Sequence, residues 1–500
     1  MTTLNRLSSL FSFSSLYGPS GAYTGTIPGV GLVFYNIPNT AFVVKAFSAY
    51  VQDTWKARRG LTLTYGLRWE VDPAPRVSAG QAAIFGGITN PADLSTAYFV
   101  PSGKPFYATS WSNLAPRLGI GWQIHDGPAR KTVLRIGAGR FFDLGQGGFE
   151  SGAYNALTFG GYYNQPLGSP TGGSPAVPIT ERLSLAVVGV AGAAHGYNLP
   201  YTWQWNATIE QSIGQQTFSV GYVGALGRRL IGWTIGPGGL YAVMNNDASS
   251  SYNAMQLQFN RRLNSRLHMV VSYTWSHSID NLSQDTPYLN LVHSALLDPR
   301  RWGSSDFDVR HSLNGSIIAS LPSPRGGIAG MFFRNWTANS IFFARSALPT
   351  DLVLQYSLGR PDVVPSQPLY LYGSGFPGGK SFNGAAFSIP SNGFDGNLGR
   401  NVLRGLGAWQ IDFSLHREFR VSEGLSLQLR AEAFNIFNHP NFANPGEVPG
   451  RLTFAPGPGF GSATQTLANG LGPANVLGQL SSLFQIGGPR TMQFALRLRF

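Results

Sequence analysis

The connections of this chain sort into two lengths, and that constrains its fold more than anything else in it. Segments in which apolar and polar residues alternate with period two recur from residue 43 to the C-terminus. The clearest has Leu61, Leu63, Tyr65, Leu67, Trp69 and Val71 on one face, and Thr62, Thr64, Gly66, Arg68, Glu70 and Asp72 on the other. Such alternation marks a strand whose two faces meet different surroundings. Strands are predicted over 43–55, 61–72, 113–124, 131–142, 202–213, 216–225, 253–264, 266–278, 309–321, 331–345, 408–420, 425–437 and 491–500. Short turns alternate with long stretches at 73–112, 143–201, 226–252, 279–308, 346–407 and 438–490, all read as loops.

A soluble sandwich has no reason to sort its connections by parity. An outer-membrane barrel does, with short turns on the periplasmic side and long loops outside. Strands of ten to thirteen residues also fit a tilted crossing of the hydrocarbon core. Composition agrees: charged residues make up 12% of the chain and aromatics 13%, and mean hydropathy is -0.04, as when apolar and polar residues alternate. The net charge of +13 is spread along the strands, whereas nucleic-acid binding calls for clustered basic residues; no nucleic-acid partner is expected. There is no cysteine, so no disulfide framework or thiolate metal site is available. No apolar run approaches the roughly 18 residues of a spanning helix; the most apolar stretch, 183–194, contains Gly189 and Gly192 and reads as part of a loop. The first residues, MTTLNRLSSLFSFSSLYG, form a poor export signal. The fold class expected is all-β: a transmembrane antiparallel β-barrel with short periplasmic turns and long extracellular loops, located in the bacterial outer membrane. Residues 1–42 read as an extracellular-loop-like segment and 43–500 as barrel.

The last strand places Met492, Phe494, Leu496, Leu498 and Phe500 on one face and Thr491, Gln493, Ala495, Arg497 and Arg499 on the other. It reads as the closing strand and as the signal recognised by the barrel-assembly machinery. Thirteen is an odd count, and bacterial single-chain barrels have even ones. The expectation is a partial wall, the C-terminal portion of a larger barrel; in a 22-stranded transporter barrel, nine strands would precede it.

Several segments resemble TonB-dependent outer-membrane receptors. Residues 49–55 (AYVQDTW) with 61–70 (LTLTYGLRWE) are similar to a mid-barrel hairpin of that family. Residues 251–262 (SYNAMQLQFNRR), 272–280 (SYTWSHSID), 306–311 (DFDVRH), 430–442 (RAEAFNIFNHPNF) and 488–500 resemble its Oar-like branch. The resemblance implies a plug-filled barrel that imports a scarce or large ligand with energy from the TonB complex. Neither the plug, nor the carboxypeptidase-regulatory-like domain, nor a TonB box is recognisable here, so coupling to TonB is expected only through such N-terminal parts. The ligand class stays open between a small molecule, an oligosaccharide and a peptide. The alternative is a structural or adhesive surface protein without transport.

No catalytic constellation is found, so no enzyme activity and no cofactor are expected. The histidines at 125, 195, 268, 277, 293, 311, 416 and 439 lack metal-motif spacing. Gly379-Lys380-Ser381 lacks the upstream glycine of a phosphate loop, since Ser374 stands there. Candidate ligand contacts lie at loop re-entries: Trp302, Asp306, Asp308, Arg310, Asn438, His439 and Asn441. Aspartates beside Arg310 could bind an ion, but a salt-bridged rim where the loop re-enters the barrel is the favoured reading, and for the asparagines, with Asn435, hydrogen-bonding of turn backbone is the commoner role. Tryptophans at strand ends read as interfacial girdles, and Trp302 as girdle or sugar-stacking residue.

Overall fold

In a computed structural model, backbone and side chains are described for residues 45–76, 100–101, 103–143, 197–232, 245–261, 266–283, 302–322, 334–354, 359–391, 396–420, 422, 424–446, 452–467 and 487–500. Short strands outside these ranges are described by their backbone alone. Most of 1–42 lies outside the described residues.

Thirteen strands pair in sequence order to form one wall. They are β1 (Phe47–Arg58), β2 (Leu61–Val71), β3 (Asn113–Asp126), β4 (Arg130–Phe142), β5 (Tyr201–Ile213), β6 (Gln216–Ile235) and β7 (Tyr241–Leu263). There follow β8 (Leu267–Asp280), β9 (His311–Ser320), β10 (Trp336–Arg345), β11 (Ala408–Arg420), β12 (Ser426–Phe434) and β13 (Thr491–Arg499). Every neighbouring pair is antiparallel. The order agrees with all thirteen predicted segments, and the fold is all-β.

The register carries one apolar face across the whole wall. Leu63 pairs with Ile120, Ile120 with Ile136, Ile136 with Ala207, and Ala207 with Tyr222. The row continues through Met255 and Trp275, and at the far side Leu429 pairs with Leu496. A one-residue slip at any ladder would invert every side chain beyond it; none occurs between these rows. Over glycine the packing is close. A Cβ at Gly224 would collide with the Trp205 ring opposite it, and one at Gly315 with the Phe342 ring, so each glycine leaves room for an aromatic to lie across the ladder. The opposite face is polar and holds the ion pairs Arg68–Glu70 (2.6 Å), Arg135–Glu210 (2.5 Å) and Arg430–Glu432 (2.5 Å). No helix among the described residues is long and apolar enough to cross a membrane.

The wall is open in the described residues. β1 and β13 are its two edges, and every residue of β13 is exposed.

One predicted loop is corrected. Residues 226–252 do not form a loop: β6 and β7 continue pairing to Ile235↔Ala242, well beyond their neighbours. Register shifts between Gly227 and Leu230, and again before Gly232, bulge the ladder and break the alternation that reveals strands elsewhere.

The long connections carry cores of their own. Leu352, Leu354, Phe382, Ala386, Phe387, Leu398, Leu403 and Phe454 pack into one apolar cluster contributed by two connections, 346–407 and 435–490. At the loop end of β2 to β5, Val71, Ala74, Phe106, Tyr107, Tyr197 and Leu199 are also buried, with the Tyr107 and Tyr197 rings 4.7 Å apart.

Candidate functional site

The loop end of β8 to β13 carries the densest polar architecture. Asp308 is almost fully buried. Its carboxylate accepts hydrogen bonds from the Ser278 backbone N–H (2.7 Å), Arg404 Nη2 (2.6 Å), Arg310 Nε (3.1 Å) and His277 Nδ1 (3.3 Å). Arg310 Nη2 also lies 3.0 Å from His277 Nε2, so the imidazole bridges Asp308 and Arg310. Burial alone would raise the Asp308 pKa; the bonds from Ser278, Arg404 and His277 outweigh it and hold the carboxyl below its usual range.

A second centre joins the first through the 303–308 segment. Arg400 Nη1 donates to Asp280 Oδ1 (2.6 Å) and to its carbonyl (2.8 Å), while Nη2 reaches Ser283 Oγ (2.6 Å) and Asp306 Oδ1 (3.3 Å). Asn401, held at φ 55°, donates to Asp306 Oδ1 (2.7 Å) and the Ser304 carbonyl (2.6 Å). A bidentate Arg360–Asp351 pair (2.9 and 3.0 Å) completes the chain of contacts, since Asp351 also accepts from the Asn401 N–H. Wall strand, re-entering loop and the long 346–407 connection are thereby tied together through buried charges.

The 435–441 segment does related work with amides. Asn435 and Asn438 sit at φ 49° and 51°, a left-handed conformation that asparagine tolerates. Asn435 donates to the carbonyls of His439 (2.9 Å) and Gly488 (2.8 Å) and accepts from the His439 N–H (3.0 Å). Asn441 brackets Trp409, donating to its carbonyl and accepting from its N–H, both at 2.9 Å. Asn438 accepts from the Arg490 N–H at 2.9 Å, and His439 stacks on Trp409 at 4.3 Å. These contacts bind the loop ends of β11, β12 and β13.

Of the predicted site residues, Asp306, Asp308 and Arg310 therefore meet in one network and Asn438, His439 and Asn441 in another. Trp302 is left 47% exposed, and Phe307, five positions further along and without a signal of its own in the sequence, is 60% exposed. Three further exposed apolar residues, Tyr372, Ile389 and Phe437, stand on the same set of connections. Burial pushes the Tyr370 hydroxyl up and the Lys380 ammonium down. Beyond β2, burial raises Asp72 to about 6, helped by the charges of Glu70 and Asp143 and opposed by Arg68; its Oδ2 has no hydrogen-bond partner among the described residues. Among the described residues no group of three or more His, Asp or Glu side chains is arranged to hold a metal.

A continuous antiparallel wall, apolar on one side and polar on the other, with short turns at one end and folded connections at the other, is the architecture of a membrane-spanning β-barrel. A family model described as an outer membrane beta barrel domain matches residues 28–493. The chain belongs to that family, and its place is the bacterial outer membrane. No curated protein sequence matches it.

Among solved structures it is similar to the FrpB iron transporter from Neisseria meningitidis (F3-3 variant), at 11% identity and TM-score 0.45, covering 95% of this chain and 46% of that one. It is similar also to the outer membrane transporter YddB from Escherichia coli, at 10% identity and TM-score 0.45, covering 98% and 57%. For the ferripyoverdine receptor of the outer membrane of Pseudomonas aeruginosa the values are 9% and 0.43, covering 96% and 40%. The chain thus spans about half the length of these proteins.

Proposed function

We propose that this chain is the barrel portion of an Oar-like TonB-dependent receptor, in which the folded outer connections capture a ligand and the polar face of the wall lines its route inward. The observation that carries this reading is the latched platform at the loop end. Four buried or half-buried arginines, Arg310, Arg360, Arg400 and Arg404, and their carboxylates hold the 346–407 connection in one shape, and a surface fixed in this way presents Trp302 and Phe307 with little ordering cost on binding. Trp302 is the residue assigned to ligand stacking; Asp306, Asp308 and Arg310 shape the platform beneath it. Energy coupling and gating belong to a plug and a TonB-contacting segment, and Phe500 with the apolar face of β13 serves recognition by the assembly machinery.

The test uses the host cell with its own receptor complement. Uptake of ferric siderophores, oligosaccharides and peptides is compared between the native gene and a version lacking 359–404, each with and without a protonophore. The reading expects one ligand class to be lost in the deletion and to depend on the proton gradient. Uptake that ignores both treatments contradicts it, and loss of cell-surface adhesion with all uptake intact would instead establish a structural or adhesive protein.

A further inference from the structure

Around the Tyr201 ring, near the loop end, the apolar face of the wall carries two cations that the transport reading does not use. Arg140 lies two residues before the loop end of β4, in the row that includes Ile136, Ala138 and Phe142. Its guanidinium carbon is 3.8 Å from the Tyr201 ring centroid, 4.4 Å from Phe142 and 6.0 Å from Trp203. Arg229, at φ 53° within the bulged part of β6, approaches the same Tyr201 ring at 5.8 Å. Aromatic faces attract a guanidinium through their quadrupole but leave its N–H donors free. Arg140 Nε is buried without a hydrogen-bond partner, which leaves the Nη donors for a ligand, and among the described residues neither arginine is in an ion pair.

Two like charges around one ring, without a carboxylate, repel each other; a bound anion would relieve that repulsion. The position says which anion. Long connections mark the outer side, so a residue two positions inside the strand end sits roughly 5–7 Å below it, at the level of lipid headgroups. The rings around Arg140 belong to the outer aromatic belt, with Trp203 and Trp205 in the same row. A guanidinium pre-oriented by stacking is suited to bidentate contact with a phosphate. Tyr201 and Trp203 would lie alongside the sugar or upper acyl part of the same molecule.

We propose that Arg140 and Arg229, framed by Phe142, Tyr201 and Trp203, bind the phosphate of an outer-leaflet lipid headgroup, as carried by a phosphorylated glycolipid. The site lies on the outer circumference of the wall and is independent of the ligand route, so it stands or falls separately from the transport reading.

The experiment extracts the full chain from outer membranes in detergent and titrates it with diphosphoryl lipid A, reading bound lipid by native mass spectrometry. Dephosphorylated lipid A and inorganic phosphate form the other two arms. The native chain is expected to bind the diphosphoryl form at least about tenfold more tightly than the dephosphorylated form, a difference of about 1.4 kcal/mol. R140Q/R229Q should lose that preference, while R140K retains part of it. Equal binding of the two lipids by the native chain overturns the proposal whether or not the double variant folds. So does an unchanged preference in the double variant. Complete competition by millimolar inorganic phosphate would make this a free-phosphate site and overturn the lipid assignment.

Discussion

Asp72 shows what burial does to a single carboxyl. Its pKa is raised to about 6, first by burial and then by the charges of Glu70 and Asp143. The folded state therefore holds the proton more tightly than the unfolded one. Its stabilising contribution is fully present below the unfolded value near 4 and is lost as pH rises through about 6. The cost at neutral pH is on the order of 2–3 kcal/mol. Asp72→Asn is expected to raise the unfolding midpoint in detergent at about pH 8 and to flatten its dependence down to about pH 4; a variant that keeps the native slope contradicts the assignment. Asn435 is the converse case, a fully satisfied amide in a left-handed backbone. Asn435→Ala leaves the carbonyls of His439 and Gly488 without that donor and adds backbone strain, about 2–4 kcal/mol together. Asn435→Gly keeps the backbone and loses only the bonds, so its unfolding midpoint should fall between native and alanine variant.

Among elements, the latch and the wall differ in how far apart their partners lie. A wall strand announces itself within ten residues, because alternation is a local property and the apolar face recurs at every second position. That is why all thirteen strands and the faces of β2 and β13 could be read directly. The latch has no such signature. Arg400 meets Asp280 across 120 positions, and Arg404 meets Asp308 across 96, so nothing in the local spacing of either arginine points to its carboxylate. The apolar core within the connections escaped for the same reason: Leu352, Phe382, Leu398 and Phe454 come from scattered, non-periodic positions. The paired extension of β6 and β7 was hidden by its bulges. Removing Arg400 strands Asp280 in a buried site, which typically costs about 3–5 kcal/mol. Arg400→Ala is expected to leave the wall intact and to expose 359–404 to added protease on whole cells; protection equal to native would show that the ion pair does not hold the connection.

For the whole molecule, the parity of the wall is decisive. With thirteen alternating strands, β1 and β13 run in the same direction. They cannot close on each other in an antiparallel ladder, and a second copy inserted the same way up offers the same parallel mismatch. A fully antiparallel closure would need an odd number of further strands between the two edges. Cysteines at Val51 and Leu496 are therefore expected not to form a disulfide in membranes. Efficient cross-linking within one chain would mean that the wall closes on itself. The latch adds a consequence for the order of assembly. Asp280 and Asp308 enter the growing chain well before Arg400 and Arg404, so an intermediate that ends short of residue 400 holds two carboxylates destined for burial with their cations not yet made. Chain-termination products of that kind should be the ones cleared fastest by periplasmic proteolysis, because their outer rim has nothing to close it.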